Sequence, residues 1–219
     1  MSRQLTKKHS TRKNNGSTKQ STNQSAKQSS KQSVKQFGEL RIIAGRWRSR
    51  KLTFPSIAGL RPSPSRVRET LFSWLTPMLT NSHCLDLFAG SGALGFEALS
   101  RGANAVTMVE QNKHICHQLL KNKDILNAKQ LSILNQDGCN LSLIEGHFDI
   151  VFCDPPFNQG FIQPLIDGLE QSDLLNSSAM LYLETEKSLL NIDLPDKWTL
   201  LKEKVTGDVR YRLIEVGER

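Results

Sequence analysis

The sequence lacks the features of a membrane-spanning, secreted or disulfide-linked protein. Its 219 residues contain no apolar run of the roughly 18 residues that a spanning helix needs. The first thirty residues hold almost no apolar side chain that could form a signal-peptide core. The four cysteines show no Cys-x-x-Cys pair and no zinc-ligand spacing. We therefore expect a cytoplasmic protein with no membrane attachment and no metal, whose cysteines are small buried residues in a reducing compartment.

Acidic residues are missing from the front of the chain. Residues 1–36 carry nine Lys or Arg and no acid, and residues 39–68 carry eight against one acid. Residues 69–219 have a net charge of −8, so the total of +8 comes from the front. The low-complexity stretch 1–36 is predicted to be a disordered tail, which either solubilises the protein or loosely grips nucleic acid. We predict a basic N-terminal arm or hairpin over 37–64 and the main domain over 65–219.

Strand-like and helix-like segments alternate from His83 onward. Short apolar runs that end in turn residues predict buried parallel strands at Cys84–Ala89, Ala105–Glu110, Leu131–Gln136, Phe148–Cys153 and Ala179–Leu183. The intervening segments predict helices at Ala93–Ser100, Lys113–Leu126 and Phe161–Glu170. An earlier helix should end at Leu79 and be capped by Ser63 or Ser65. The segments Trp198–Val205 and Val209–Val216 predict a hairpin. The fold expected is an α/β, Rossmann-like, doubly wound seven-stranded sheet, mostly parallel, with an antiparallel C-terminal hairpin strand.

A glycine-rich loop follows the first of these strands. It runs from Asp86 through Phe88 to Gly95, and Gly90, Gly92 and Gly95 match the Gly-x-Gly-x-x-Gly fingerprint. Glu110 ends the next strand, twenty residues after Gly90, where an acid binds ribose hydroxyls. The pattern predicts a cofactor that contains adenosine, bound at the carboxyl edge of the sheet.

Asp86 discriminates between two cofactors that contain adenosine. A buried carboxylate repels the pyrophosphate of a dinucleotide but attracts the ammonium and sulfonium groups of S-adenosyl-L-methionine. The alternative is a structural aspartate that accepts backbone N–H groups of the loop. Asp137, followed by Gly138, can reach the adenine amino group, or it simply forms a turn.

The tetrapeptide Asp154-Pro155-Pro156-Phe157 follows a strand that ends at the same edge. The prolines stiffen the loop, so the Asp154 carboxylate and the Pro155 carbonyl are two acceptors held in fixed directions. Phe157 can stack on a planar ring. Two acceptors and a stacking face suit a planar amine, because hydrogen bonds to its protons free the nitrogen lone pair to attack a methyl group. A proline-rich turn is the alternative interpretation of the tetrapeptide alone.

These motifs resemble the amino-methylating class of S-adenosylmethionine-dependent methyltransferases and, more narrowly, the RsmD family. The segments that carry the resemblance are Arg41–Arg48, Gly59–Pro62, Arg66–Phe72, Leu85–Gly95, Glu97–Ala103 and Phe152–Phe157. The resemblance implies methyl transfer to the N2 amine of one guanine in small-subunit (16S) ribosomal RNA, guanine 966 in rRNA numbering. It also implies rRNA, within an assembling 30S particle, as the partner of a monomer.

The basic arm is where RNA recognition is expected. Only about twenty-five residues separate Asp154 from the fifth strand, which leaves no room for a separate recognition domain. Guanidinium and ammonium groups suit phosphate contacts. The predicted RNA-binding residues are Arg41, Arg46, Arg48, Arg50, Lys51, Arg61, Arg66 and Arg68.

Three other functions remain open at this point. An adenine-N6 or protein glutamine-N5 methyltransferase would bind its target amine or amide with the same two hydrogen-bond acceptors. Such enzymes, however, often carry Asn where this chain has Asp154. An NAD-dependent oxidoreductase leaves Asp86 and Asp154–Phe157 without a role. A non-enzymatic RNA chaperone would not need the glycine loop.

Overall fold

The computed structural model describes residues 37–60 and 62–217; the predicted tail 1–36 and Arg61 lie outside the described residues. The nine strands are β1 Phe37–Arg41, β2 Lys51–Pro55, β3 His83–Asp86, β4 Ala105–Val109, β5 Leu131–Leu134, β6 Phe148–Cys153, β7 Leu175–Glu186, β8 Thr199–Thr206 and β9 Val209–Glu215. The four α-helices are α1 Ser65–Leu79, α2 Ala93–Ser100, α3 Lys113–Leu126 and α4 Ile162–Gln171. None of the helices in the described part of the chain is both long and apolar enough to cross a membrane.

Seven strands form one sheet in the order β5-β4-β3-β6-β7-β9-β8. Strands β3 to β7 are parallel, and β9 lies antiparallel between β7 and β8. The predicted doubly wound fold is therefore confirmed. Strand β7 is longer than expected because β9 pairs with it from Met180 to Glu186, beyond the predicted end at Leu183. One core cluster of apolar side chains lies on each face of this sheet.

The N-terminal arm is a two-stranded antiparallel hairpin that packs on the main domain. Leu40, Leu52 and Phe54 point into the core. Two polar residues of α3 hold the second strand, because the Gln118 amide donates to the Thr53 hydroxyl at 2.9 Å and the Asn122 amide donates to the Thr53 carbonyl at 2.8 Å. The basic residues of the arm are therefore carried on an anchored element.

The start of α1 differs from the expectation. Pro64 occupies the N-cap position, and no side chain caps the helix. The carbonyl of Ser63 instead accepts a hydrogen bond from Arg68 Nε at 3.2 Å. This helix start is thus stabilised by a long side chain from its own first turns, an interaction that local capping rules do not describe.

A buried glutamate joins the hairpin, α1 and α2. Glu97 is fully buried, and its carboxylate accepts four hydrogen bonds. Backbone N–H groups of Ile43 and Ala44 donate at 2.9 and 3.0 Å. Arg68 and Arg101 form ion pairs with it at 3.1 and 2.7 Å. The four donors match the four acceptor sites of a carboxylate, which is what allows a charge to be buried.

Arg68 is consequently not on the RNA-binding surface predicted for it. Its side chain is buried, and its guanidinium donates to Glu97, to the Ser63 carbonyl and to the Arg41 carbonyl. Burial lowers the pKa of Arg68, and the neighbouring Glu97 acts in the opposite direction. The assignment of Arg68 to RNA binding was wrong, because the hairpin covers the helix position that the sequence alone leaves open.

Replacing Glu97 by glutamine is expected to lower the free energy of unfolding by about 3–5 kcal/mol, because Arg68 would keep a buried charge without its partner. The matched control is Glu39→Gln, which removes the exposed ion pair between Glu39 and Lys51 at 3.1 Å. An exposed pair contributes about 0–1 kcal/mol. Urea unfolding measures both; equal losses would show that Glu97 does not hold the arm.

Candidate active site

The strand order brings the predicted motifs to one crevice. Because β3 and β6 are neighbours, the loops that follow them leave the sheet side by side at its carboxyl edge. The strand order reverses at this point, where doubly wound sheets bind ligands. The glycine loop follows β3, and Asp154–Phe157 follows β6.

The glycine loop is held by two acids. Gly90 and Gly92 adopt φ angles of 50° and 78°, which favour glycine. Glu110 accepts hydrogen bonds from the backbone N–H of Gly90 at 2.9 Å and of Asn112 at 2.7 Å. The Gly95 N–H donates to Asp86 at 3.2 Å. Glu110 therefore sits directly under the loop, twenty residues from the glycine that it contacts.

Asp86 is a buried carboxyl group with an unusual affinity for protons. Burial raises its pKa to about 7, and Glu110 and Glu184 add to this effect. Hydrogen bonds from the N–H groups of Gly95 and Phe88 act in the opposite direction. The structural role considered from the sequence is therefore present in part, because the loop donates to Asp86, but these donors do not offset the cost of burial.

Asp154 lies beside a second acid that the sequence analysis missed. Cys153, the last residue of β6, pairs with Leu183 of β7, so Asp154 comes beside Glu184, which lies two residues before the end of β7. Burial raises the pKa of Asp154 well above its ordinary value, and the charges of Glu184 and Asp86 raise it further. The pKa of the buried Glu184 is also raised, mainly by burial. The missed signal was its position, since Glu184 follows a predicted strand as Asp86, Glu110 and Asp154 do.

Three carboxyl groups thus lie at or near the carboxyl ends of three neighbouring strands; Asp86 and Glu184 are buried, and Asp154 is half-buried. None of the ion pairs within residues 37–60 and 62–217 includes Asp86, Asp154 or Glu184. Carboxyl groups that are desolvated, close together and without a basic partner hold protons tightly, and a cation beside them favours their ionised form. This crevice is electrostatically suited to a cation, and it is unfavourable for a pyrophosphate. In the same described residues, no cluster of His, Cys, Asp and Glu fits a metal ion.

The loop after β5 reaches the glycine loop. A Cβ at Gly138 would lie 2.1 Å from the Leu87 carbonyl oxygen and 3.1 Å from the Phe88 ring, so only glycine fits there. Phe88 is half-buried, and Asp137 is exposed and accepts the Cys139 N–H at 2.9 Å. The structure therefore brings Asp137 to the cofactor side of the crevice while also showing the turn interaction.

The Asp-Pro-Pro-Phe loop lines a cavity of about 170 Å³. Pro155 is buried, Phe157 is half-buried, and Pro156 is exposed. Phe161, Glu186 and Leu189 lie on its other side. A larger cavity of about 390 Å³ lies at the opposite edge of the sheet, between the end of α4 and the start of β7. It contains none of the predicted site residues.

The predicted RNA-binding residues do not form one cluster. Those with exposed side chains are Arg41, Arg46, Arg48, Arg50, Lys51 and Arg66. The Arg46 N–H donates to the Ser100 carbonyl at 2.7 Å, at the end of α2, and Arg50 donates to the Ile125 carbonyl at 3.3 Å, near the end of α3. Both helices end where the parallel strands begin. The turn of the hairpin therefore lies at the amino edge of the sheet, opposite the crevice.

Arg46 also stacks on Trp47, with its guanidinium carbon 4.1 Å from the ring centroid. Arg66, in contrast, lies in the first turn of α1. Ser63, three residues earlier, hydrogen-bonds Glu184 at the carboxyl edge. The basic residues thus divide between the two edges.

Comparisons with known proteins agree with this architecture. The family model described as "Conserved hypothetical protein 95" matches residues 40–215. The curated protein "Ribosomal RNA small subunit methyltransferase D" of Haemophilus influenzae is 48% identical over 183 residues, covering 81% of this chain and 94% of that protein. The protein of the same name from Escherichia coli is 44% identical over 179 residues, covering 81% and 90%.

A solved structure of the Escherichia coli protein yhhF superposes with a TM-score of 0.75 at 43% identity, covering 83% of this chain and all of that one. Both the match of the family model and the identity to the curated relatives extend over most of the chain. The resemblance inferred from the sequence motifs is confirmed: the chain belongs to the RsmD family of methyltransferases.

Proposed function

We propose that this chain transfers a methyl group from S-adenosylmethionine to the exocyclic N2 amine of a guanine in small-subunit rRNA, by resemblance guanine 966. The observation that carries the proposal is the group of unpaired carboxyls, Asp86, Asp154 and Glu184, beside a glycine loop. The family relationship supports a methyltransferase acting on rRNA. When bound, S-adenosylmethionine supplies an electrophilic methyl group whose bond electrons leave with sulfur.

The residues that hold this cofactor follow from the chemistry of the crevice. Glu110 retains acceptor capacity for ribose hydroxyls, because each carboxylate oxygen can accept a further hydrogen bond. Asp86, in its ionised form, attracts the cationic end of the cofactor. Phe88 offers an apolar wall, and Asp137 is positioned for the adenine amino group. A Cβ at Gly92 would lie 2.6 Å from the Phe96 ring and 2.7 Å from Leu119, so this glycine lets the loop pack closely on α2 and α3.

The target amine is proposed to bind at Asp154. The Asp154 carboxylate and the Pro155 carbonyl each accept a hydrogen bond from one N–H of the amine. These hydrogen bonds free the nitrogen lone pair for attack on the methyl carbon. Phe157 stacks on the base, and Pro156 stiffens the loop. Because Asp154 acts on the amine and Glu110 on the cofactor, these two functions are separable by mutation.

The alternatives are less well supported. The negative crevice argues against an NAD-dependent oxidoreductase, since a dinucleotide would place its pyrophosphate near Asp86. Adenine-N6 or glutamine-N5 methylation would use the same acceptors, and nucleoside or peptide mass spectrometry of the product separates these reactions. We further propose that the enzyme acts as a monomer on an assembling 30S particle.

RNA recognition is proposed to involve two separate surfaces. Arg66 lies on the side of the crevice, where it is available to RNA around the target base. Arg46, Arg48 and Arg50 belong to the turn at the opposite edge, about 15 Å away if a five-residue strand rises about 3.3 Å per residue. Arg41 and Lys51 pair with each other at the end of the hairpin next to this turn. The hairpin turn is therefore suited to phosphates remote from the target.

Cofactor affinity should rise with pH and level off above about pH 7. The pKa of Asp86 is about 7 in the free protein, so below that pH the group is protonated and uncharged. A bound cation favours the ionised form, so binding releases a proton near neutral pH. Asp86→Asn should remove this pH dependence and weaken binding of S-adenosylmethionine about tenfold or more.

Calorimetry in buffers of different ionisation enthalpy measures the proton release, with NAD as a ligand that should not bind. Glu145→Gln, which removes an exposed acid, is the matched control and should bind normally. Unchanged affinity and unchanged proton release in Asp86→Asn would contradict the role of Asp86.

Asp154→Ala should lower the rate of methyl transfer at least a hundredfold and retain cofactor binding, because loss of one preorganised group at a reacting centre costs about 10²–10³ in rate. Phe157→Ala should instead weaken productive binding of RNA, since stacking of one base contributes about 1–3 kcal/mol. Single-turnover transfer of labelled methyl groups, with nucleoside mass spectrometry of the product, measures both. Full activity of Asp154→Ala would exclude the proposed mechanism.

The triple variant with Arg46, Arg48 and Arg50 changed to Gln should lose methylation of whole small-subunit rRNA but not of a short stem-loop that carries only the target. Its matched control changes Lys187, Lys202 and Lys204 to Gln. This control removes the same amount of positive charge, but from exposed residues of β8 and of the segment after β7. Equal loss of methylation on both RNAs in the arginine variant would contradict a remote contact.

Deletion of residues 1–36 should lower the affinity of the protein for any RNA and make that affinity depend less on salt concentration.

A further inference from the structure

Glu184 is a buried acid at the end of β7 to which the mechanism above assigns no step. Its side chain is 3% exposed. Phe152 pairs with Tyr182 across β6 and β7, and Cys153 pairs with Leu183. Because successive residues of a strand point to opposite faces, Glu184 points to the same face as Tyr182, and Asp154 follows the end of β6 directly beside it. The proposed amine acceptor and Glu184 are therefore neighbours on one side of the sheet.

The Glu184 carboxylate is held in place from two directions. The Tyr182 hydroxyl donates to its Oε1 at 2.7 Å, and the Ser63 side chain also hydrogen-bonds it. Tyr182 is itself fully buried, with its ring 6.4 Å from the rings of Phe152 and Tyr211. A side chain with such support cannot swing away from its neighbours, so its charge acts on them from a fixed position.

The groups around this carboxylate supply donors but no cation. Tyr182 on β7 and Ser63 before α1 donate hydrogen bonds to Glu184. Tyr211 of β9 is its partner in the neighbouring strand. Asp154 and Asp86 face it from the ends of β6 and β3. The two donors stabilise its ionised form, since a hydrogen bond to a carboxylate lowers its pKa. Among the described residues, no donor comparable to these two hydrogen-bonds Asp154. After burial, Glu184 is the largest influence that raises the pKa of Asp154.

We propose that Glu184 is a positioning residue that acts through Asp154: its fixed negative charge makes the Asp154 carboxylate the proton acceptor for the target amine. The inference rests on the proposed function. As the amine nitrogen bonds to the methyl carbon, the carbon–sulfur bond breaks and its electron pair stays on sulfur. The nitrogen then carries an extra proton, which passes to the Asp154 carboxylate. A neighbouring negative charge strengthens this acceptor, because it disfavours a second anion at the site.

The direct test is titration of Asp154 by ¹³C NMR in the full chain with labelled aspartate. Asp154→Asn identifies the resonance by its disappearance. Glu184→Gln should move the Asp154 titration to lower pH, since it removes a negative charge and keeps the shape. Tyr182→Phe should move it in the same direction by less, because Glu184 then holds its charge less well. Glu145→Gln, which removes an exposed acid before β6, is the matched control and should leave the titration unchanged.

The second readout is the pH dependence of single-turnover methyl transfer to small-subunit rRNA. Asp154 must be ionised to accept a proton, so the rate should fall as pH drops through its raised pKa. In Glu184→Gln the acidic limb should move to lower pH, and the plateau rate should fall about tenfold or more because the acceptor is a weaker base. A Glu184 with only a structural role would change thermal stability and leave both pH midpoints unmoved.

The two readouts separate failure of the inference from failure of the proposed function. A wild-type protein that transfers no methyl group to rRNA, but whose Asp154 titration shifts in Glu184→Gln, contradicts the function and supports the coupling. An active wild-type protein with the same Asp154 titration and the same acidic limb in Glu184→Gln overturns the inference. The Tyr182→Phe variant gives the same decision if Glu184→Gln does not fold.

Discussion

The carboxylate of Glu97 is the interaction on which the placement of the basic hairpin depends. It accepts hydrogen bonds from two consecutive backbone N–H groups after β1 and forms ion pairs with Arg68 of α1 and Arg101 after α2. One buried charge therefore sets the geometry of three segments, and it is stable there because every acceptor site is used.

The same physics has the opposite outcome at the carboxyl edge of the sheet. Asp86 and Glu184 are buried as Glu97 is, but their partners are backbone N–H and hydroxyl groups rather than guanidinium groups. Glu97 is a satisfied structural charge, whereas the crevice holds negative charge that is available to a ligand. The contrast separates a structural acid from a functional one more clearly than burial alone does.

Much of the fold could be predicted because its signals are local. Helices α2 and α3 and strand β6 begin and end at the predicted residues, since apolar runs bounded by glycine or asparagine define them. The acids at strand ends were found by the same rule. That rule also fits Glu184, which directly follows the predicted strand end at Leu183, although β7 in fact continues to Glu186. Arg68 was misassigned for a different reason. Its burial depends on the hairpin covering α1, a tertiary contact that helical periodicity does not report.

The position of the basic turn relative to the crevice likewise could not be predicted from the sequence. Arg46 and Arg50 are close to Arg66 in the chain, yet the hairpin and the segment after β2 carry Arg66 toward the opposite edge. Their separation depends on the length of the strands between them and on where the hairpin is anchored. Proximity along the chain is a poor guide to a shared surface once an antiparallel hairpin intervenes.

The exposure of one cysteine has a practical consequence. Cys84, Cys116 and Cys153 are buried, while Cys139 is exposed in the loop that contacts the glycine loop. Partial burial and the neighbouring Asp137 raise the pKa of the Cys139 thiol to about 11, so its reactive thiolate is scarce at neutral pH. Alkaline labelling would therefore attach a fluorophore to this thiol in the unmodified chain, and the label would report occupancy of the cofactor side of the crevice without any engineered residue.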